Sequence, residues 1–179
     1  MSRTTKVAAL AAAAAAFAAL AAAPEARAHV TLEASSAAAN STHRAVFRVP
    51  HGCEGHRATT RLVVELPEGV TGARPMPKPG WTLRIEPRGE ARATGEHGAA
   101  PAEAARIVWE GGRLEDAHYD EFVVRFRVPD APGTTLWFPV TQGCEDGSTA
   151  AWVEVPAEGR RASDYRYPAP ALRVTARSN

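Results

Sequence analysis

Cysteine is scarce in this chain: 179 residues contain two, Cys53 and Cys144, and no Cys-x-x-Cys pair. There is no Gly-x-Ser-x-Gly and no phosphate-cradling glycine loop, and no carboxylates are paired for acid–base work. These absences remove the usual sequence marks of nucleophilic, nucleotide-binding and dithiol redox chemistry. An excess of one charge is missing too, with 21 basic and 20 acidic residues. Such a balance gives no electrostatic reason to expect nucleic acid or an anionic membrane as partner. Past residue 28 no apolar run approaches the ~20 residues needed to cross a bilayer as a helix.

What is present begins at the first residue. Arg3 and Lys6 form a short positive segment, and an alanine-dominated apolar stretch follows from Val7 to Ala23. After Pro24 and Glu25 comes Ala26-Arg27-Ala28. Charge, apolar run and small-x-small, in that order, are what a signal peptidase reads, so cleavage is expected after Ala28. Losing Arg3, Lys6, Arg27 and Glu25 turns the 21 basic and 20 acidic residues into 18 and 19. The remaining 151 residues suit one compact domain, expected in a periplasm or secreted, with no membrane anchor in the mature chain. In an oxidising compartment a disulfide is the ordinary fate of Cys53 and Cys144. A pair of thiolates for a soft metal is the alternative.

From His29 onward, short β-type runs alternate with Pro/Gly turns, and no helical period emerges. Strands are expected over 44–49, 59–66, 81–86, 106–110 (ending at Gly111-Gly112), 121–128, 134–140, 150–155 and 172–175. In 81–86, Trp81, Leu83 and Ile85 share one face. In 121–128, Phe122, Val124, Phe126 and Val128 are in register. The pattern predicts an all-β, antiparallel sandwich of about seven to nine strands, Ig-like or cupredoxin-like. Residues 91–105, rich in Ala, Gly and Glu, read as an insertion loop. Val49-Pro-His-Gly-Cys-Glu54 and Val140-Thr-Gln-Gly-Cys-Glu145 resemble one another and both follow a strand, so both sulfurs are expected at one end.

Cleavage after Ala28 makes His29 the first residue. A free N-terminal histidine offers its α-amine and ring Nδ1, which together close a six-membered chelate. Copper(II) tops the divalent affinity order for nitrogen donors. The amine has an ordinary pKa of about 7.7–8.0, so metal competes with a proton near neutrality. Other candidates carry plainer readings beside metal ones. His51 and His56 bracket Cys53 and would suit a metal if that sulfur were reduced; otherwise they belong to a solvated loop. Met76, in a proline-rich loop, offers a soft thioether for Cu(I) or packs under the loop. Trp152 is either a core residue or an apolar lid over a metal. His118 reads as a turn residue. A second histidine, as oxygen-activating copper sites use, is not identified among His43, His51, His56, His97 and His118.

Five short motifs carry a family resemblance in order: His29-Val-Thr31, Leu66-Pro-Glu-Gly-Val70, Pro77-Lys-Pro-Gly-Trp81, Tyr119-Asp-Glu-Phe122 and Trp152. With them the mature chain resembles the YcnI-like family along nearly its whole length. The resemblance implies a β-sandwich that binds Cu(II) through a single-histidine brace. It also implies a periplasmic metallochaperone or copper buffer, not an enzyme, whose partners are copper-trafficking proteins or a copper importer. The brace maps onto His29 and the near-metal tryptophan onto Trp152. Where better-known members carry an acid before Lys-Pro-Gly-Trp, this chain has Met76, so Glu68 or Glu145 is the candidate replacement, or the site's redox preference differs. The alternatives are a copper-dependent oxidative enzyme and a metal-free adhesion or peptide-binding sandwich.

Overall fold

A computed structural model describes residues 29–53, 55–89 and 103–177. The expected signal peptide and residues 91–102 of the expected loop lie outside them. Twelve strands follow in order: β1 (Thr31–Leu32), β2 (Ser36–Ala38), β3 (Thr42–Val49), β4 (Thr59–Glu65), β5 (Thr71–Pro75), β6 (Thr82–Pro87), β7 (Ala104–Leu114), β8 (Asp120–Arg127), β9 (Thr135–Trp137), β10 (Val140–Cys144), β11 (Thr149–Trp152) and β12 (Ala171–Thr175). One 3-10 turn, Ala162–Asp164, interrupts the last connection.

The strands form a four-stranded sheet, β1-β3-β8-β5, and a five-stranded sheet, β11-β10-β4-β7-β6. A small third sheet, β2-β12-β9, includes a parallel pair, β2 with β12. Period-two alternation is the reason the layers stack. Ala45, Phe47 and Val49 of β3 and Phe122, Val124 and Phe126 of β8 face Leu62 and Val64 of β4 and Ile107 and Trp109 of β7 across one core. Phe47, Phe122, Phe126 and Phe138 are fully buried, each worth about 1.5–3 kcal/mol of apolar transfer. Their rings meet edge-on or tilted, Phe47 with Phe138 and Phe126 with Phe138 at 5.6 Å between centroids.

The fold class agrees with the sequence reading, and the differences have local causes. The expected strand 134–140 holds β9 but stops at Val140, where a separate strand of another sheet, β10, begins and runs on to Cys144. Pro139, which has no N–H to offer a ladder, stands where the chain crosses from β9 to β10. Strand β7 does not stop at Gly111-Gly112 but runs on to Leu114. Gly112 is there for closeness: a Cβ on it would lie 2.1 Å from the Trp81 indole. Ala104 and Ala105, expected in the loop, belong to β7. On the edge strand β6, Leu83 packs on the core while Ile85 remains exposed.

Candidate metal centre

Val30, 2 % exposed, is the apolar residue that pins the start of the domain. It precedes Thr31 and Leu32, which pair with Arg48 and Phe47 of β3. Continuing that register brings His29, half-buried, opposite Pro50. The next residues, 51–58, form the loop that carries Cys53. His29 is therefore at the end of the sandwich where β3 finishes, β4 begins and β10 turns into β11.

Cys53 and Cys144 are bridged at that end, with a Cα–Cα distance of 5.9 Å. Both sulfurs are spent in the bond, so the thiolate-pair alternative is closed. The bridge ties the 51–58 loop to the β10–β11 hairpin. Around it, Gln142 Nε2 donates to Thr59 Oγ1 at 2.8 Å, in a pair of buried polar side chains that satisfy one another.

His51 and His56 are engaged in holding this loop. His56, in a left-handed backbone conformation, has Nδ1 2.7 Å from Asp116 Oδ2. His51 Nδ1 donates to the Gly52 carbonyl at 2.7 Å and lies 3.6 Å from the same carboxylate. Gly52 packs so closely on the β7–β8 turn that a Cβ would meet the Asp116 backbone at 2.8 Å. His118 is a turn residue, as expected, with its amide donating to Glu115. Among the described residues no three His, Cys, Asp or Glu side chains converge on a common point.

Neither acid offered in place of Met76 is free to complete a site beside His29. Glu145 accepts from the Ala58 amide at 3.1 Å and from Arg113 at 2.6 Å. The amide first, then the guanidinium, hold its carboxyl below the usual carboxylate range. Glu68 is on the β4–β5 turn, at the opposite end of β4 from the disulfide, with its nearest ion-pair contact 4.0 Å away at Arg88.

Met76 follows β5 of the four-stranded sheet, whereas Trp152 ends β11 of the five-stranded one. β1 and β5 are the two edges of the four-stranded sheet. Three inter-strand steps of about 4.8 Å separate them, so about 14 Å lies between His29's strand and Met76's. Met76 is exposed, with its amide donating to Val123 O. The structure does not bring it to His29. Trp152 is in the five-stranded sheet, paired with Val140, which pairs in turn with Val64 of β4. It is buried, with an indole Nε1 that has no hydrogen-bond partner among the described residues. A protonated indole nitrogen is a donor only, so Trp152 covers or donates and does not ligate.

Two features matter for whether copper fits. No three candidate ligands converge among the described residues, and a histidine at a free N-terminus carries two nitrogen donors by itself. Sequence reasoning named His43 among five histidines but gave it no place; it sits at the far end of β3 with its ring edge-on to Phe126 at 5.8 Å. Its Nε2 is buried without a partner among the described residues, and burial pushes its pKa down. The signal available was its place in a β3 alternation that also holds Ala45, Phe47 and Val49.

The family described as "Domain of unknown function (DUF1775)" matches residues 29–174. A curated relative, "Copper-binding protein CutI" of Bacillus subtilis (strain 168), is 24% identical over 129 residues, 71% of this chain. The match spans 56% of that relative, little more than half its length. A solved structure from Nocardia farcinica, described as an uncharacterized protein with an immunoglobulin-like fold, is 32% identical with a TM-score of 0.63. The alignment covers 83% of this chain and 99% of that one. Extent of match and shared Ig-like sandwich together assign this chain to the DUF1775 family.

Proposed function

We propose that this protein is exported, is processed after Ala28, and binds one Cu(II) through the amine and Nδ1 of His29 in order to buffer or deliver it. What supports the reading is a coincidence of boundaries. The family match begins at His29, the residue that the signal-peptide pattern makes the first of the mature chain. The relative named as copper-binding supplies the metal. In the unprocessed chain the His29 nitrogen is an acylated amide and a poor ligand; cleavage turns it into an amine with a lone pair. Val30, held in the core, leaves that nitrogen little freedom, which lowers the entropic cost of chelation. Trp152, by resemblance to the YcnI-like family, acts as an apolar cover. Copper is cargo in this reading, exchanged with copper-trafficking proteins or a copper importer. Because the amine must lose a proton, affinity falls as pH drops below about 7.7.

The test is Cu(II) titration of processed protein followed by electron paramagnetic resonance, beside the same protein carrying one extra residue before His29. One-to-one binding with nitrogen hyperfine structure, lost in the extended form, is expected. Equal binding by both forms would sink the brace.

A further inference from the structure

The two large sheets treat their outward arginines differently. On the five-stranded sheet Arg61, Arg84 and Arg106 are interleaved with Glu65, Glu86 and Glu110. Arg61 and Arg84 each lie 3.5 Å from Glu110, and Arg106 lies 3.3 Å from Glu65 and 3.6 Å from Glu86. That face is neutral. On the four-stranded sheet Arg44 is the register partner of Arg125, and Arg125 of Arg74. Register partners point to the same face, so three guanidinium groups stand side by side across β3, β8 and β5, over about 10 Å. Arg127 adds a fourth, two residues along β8 on the same face.

All four are exposed. Arg44 reaches one carboxylate, Glu33, at 3.9 Å, and Glu33 is already bonded to Arg48 at 2.7 Å. Arg74, Arg125 and Arg127 have no acidic partner among the described residues. Like charges set directly opposite in a sheet destabilise it. In a chain of near-zero net charge the row is not a by-product of composition. The fold elsewhere shows how such residues are neutralised, and here it leaves them unneutralised.

Beside the row runs an apolar strip of Val46, Val123 and Met76, and next to that an open recess of about 380 Å³ lined by Met76, Tyr119 and Val123 among others. Val46 and Val123 are buried although they face outward, covered by the stems of the long side chains around them. Met76 and Tyr119 are exposed. The acids at the recess are satisfied: Asp120 by Lys78 at 2.6 Å, Glu121 by Arg48 at 3.4 Å. Pro75 and Pro77 lack amide donors on the β5 edge, so a visitor would lie across the face and not extend the sheet.

We infer that this face docks an extended acidic segment of a partner protein, its carboxylates on the Arg44–Arg125–Arg74 row and an apolar side chain in the Met76–Tyr119 recess. A bilayer fits less well, because a flat plane of anionic headgroups would press against Asp120 and Glu121 and leave the recess empty. The inference rests on charge and register alone and is independent of copper.

The experiment uses the purified protein and a fluorescent, all-glutamate peptide with one central leucine, read by anisotropy. The wild type binds, and binding weakens with salt. Arg74→Ser/Arg125→Ser weakens it about tenfold or more, in keeping with charge-assisted hydrogen bonds. Arg61→Ser/Arg84→Ser, on the neutral face, changes it less than about twofold. Replacing the peptide's leucine by alanine weakens binding to the wild type but not to Met76→Ala. Since the row is repulsive, the Arg74/Arg125 variant is also at least as stable as the wild type in low-salt melts, which separates lost docking from lost fold. No binding by the wild type, equal losses in the two arginine pairs, or tighter arginine-dependent capture by phosphatidylglycerol vesicles than by the peptide overturns the proposal.

Discussion

Replacing both cysteines, Cys53→Ala with Cys144→Ala, tests how much of the stability comes from a single covalent link. The bridge joins residues 91 apart in sequence. In the chain-entropy treatment a loop of that size removes about 15.6 cal/mol/K from the unfolded ensemble, or about 4.6 kcal/mol at room temperature. For a domain of this size that corresponds to a fall of about 10–18 °C in melting temperature. The cysteines are 2 % and 7 % exposed, so truncation adds some packing loss, and reduced wild-type protein serves as the control that keeps every atom. The assay is urea unfolding of oxidised, reduced and doubly substituted protein. Both cysteine-free and reduced forms should lose about 3–5 kcal/mol, and the m-value should rise because the unfolded chain without the link exposes more surface. A loss below about 1 kcal/mol with an unchanged m-value would refute the reasoning, since it would mean that the unfolded chain holds those residues together without the bond.

Gly112→Ala should cost about 1–3 kcal/mol, because its Cβ would overlap the Trp81 indole, which itself packs perpendicular to Phe122 at 5.0 Å. Thermal melts together with the near-ultraviolet dichroism of the tryptophans check this, and an unchanged spectrum would count against the contact. His43→Phe should flatten the acid side of the stability curve. Burial lowers the folded-state pKa of His43, so the unfolded chain binds the proton more readily. Stability is therefore full above the ordinary value of about 6.5 and is lost as pH falls through it toward the folded value. One proton bounds the slope at about 1.4 kcal/mol per pH unit, and partial burial makes it smaller. Identical slopes for variant and wild type in urea titrations would show that His43 carries no share of the acid sensitivity.

Much of the sandwich was legible because buried β-strands announce themselves by alternation. Phe122, Val124 and Phe126 on β8, and the β-branched run of β4, were read correctly as strands on that ground alone. Three of the strands that escaped notice have no such pattern. β1 and β2 are two and three residues long, and β5 reads Thr-Gly-Ala-Arg-Pro, whose place is settled by backbone pairing with β8. Gly111-Gly112 misled because a glycine that admits a neighbouring ring looks, in sequence, like one that ends a strand. The candidate site was legible only in part. Cys53 and Cys144 were foreseen as partners from compartment and from the likeness of their surroundings. The separation of Met76 from His29 was not, since sheet order is a property of long-range pairing that no local motif carries.

The parallel pairing of β2 with β12 has a consequence for the order in which the molecule can be completed. Ser36–Ala38 find their strand partners in Arg173–Thr175. A strand near the start of the described chain must therefore wait for almost the last residues before its ladder can close. A chain that stops before Arg173 keeps β1 on β3 but leaves β2 without its parallel ladder, so the stretch between those two strands is fastened only once the C-terminus has arrived.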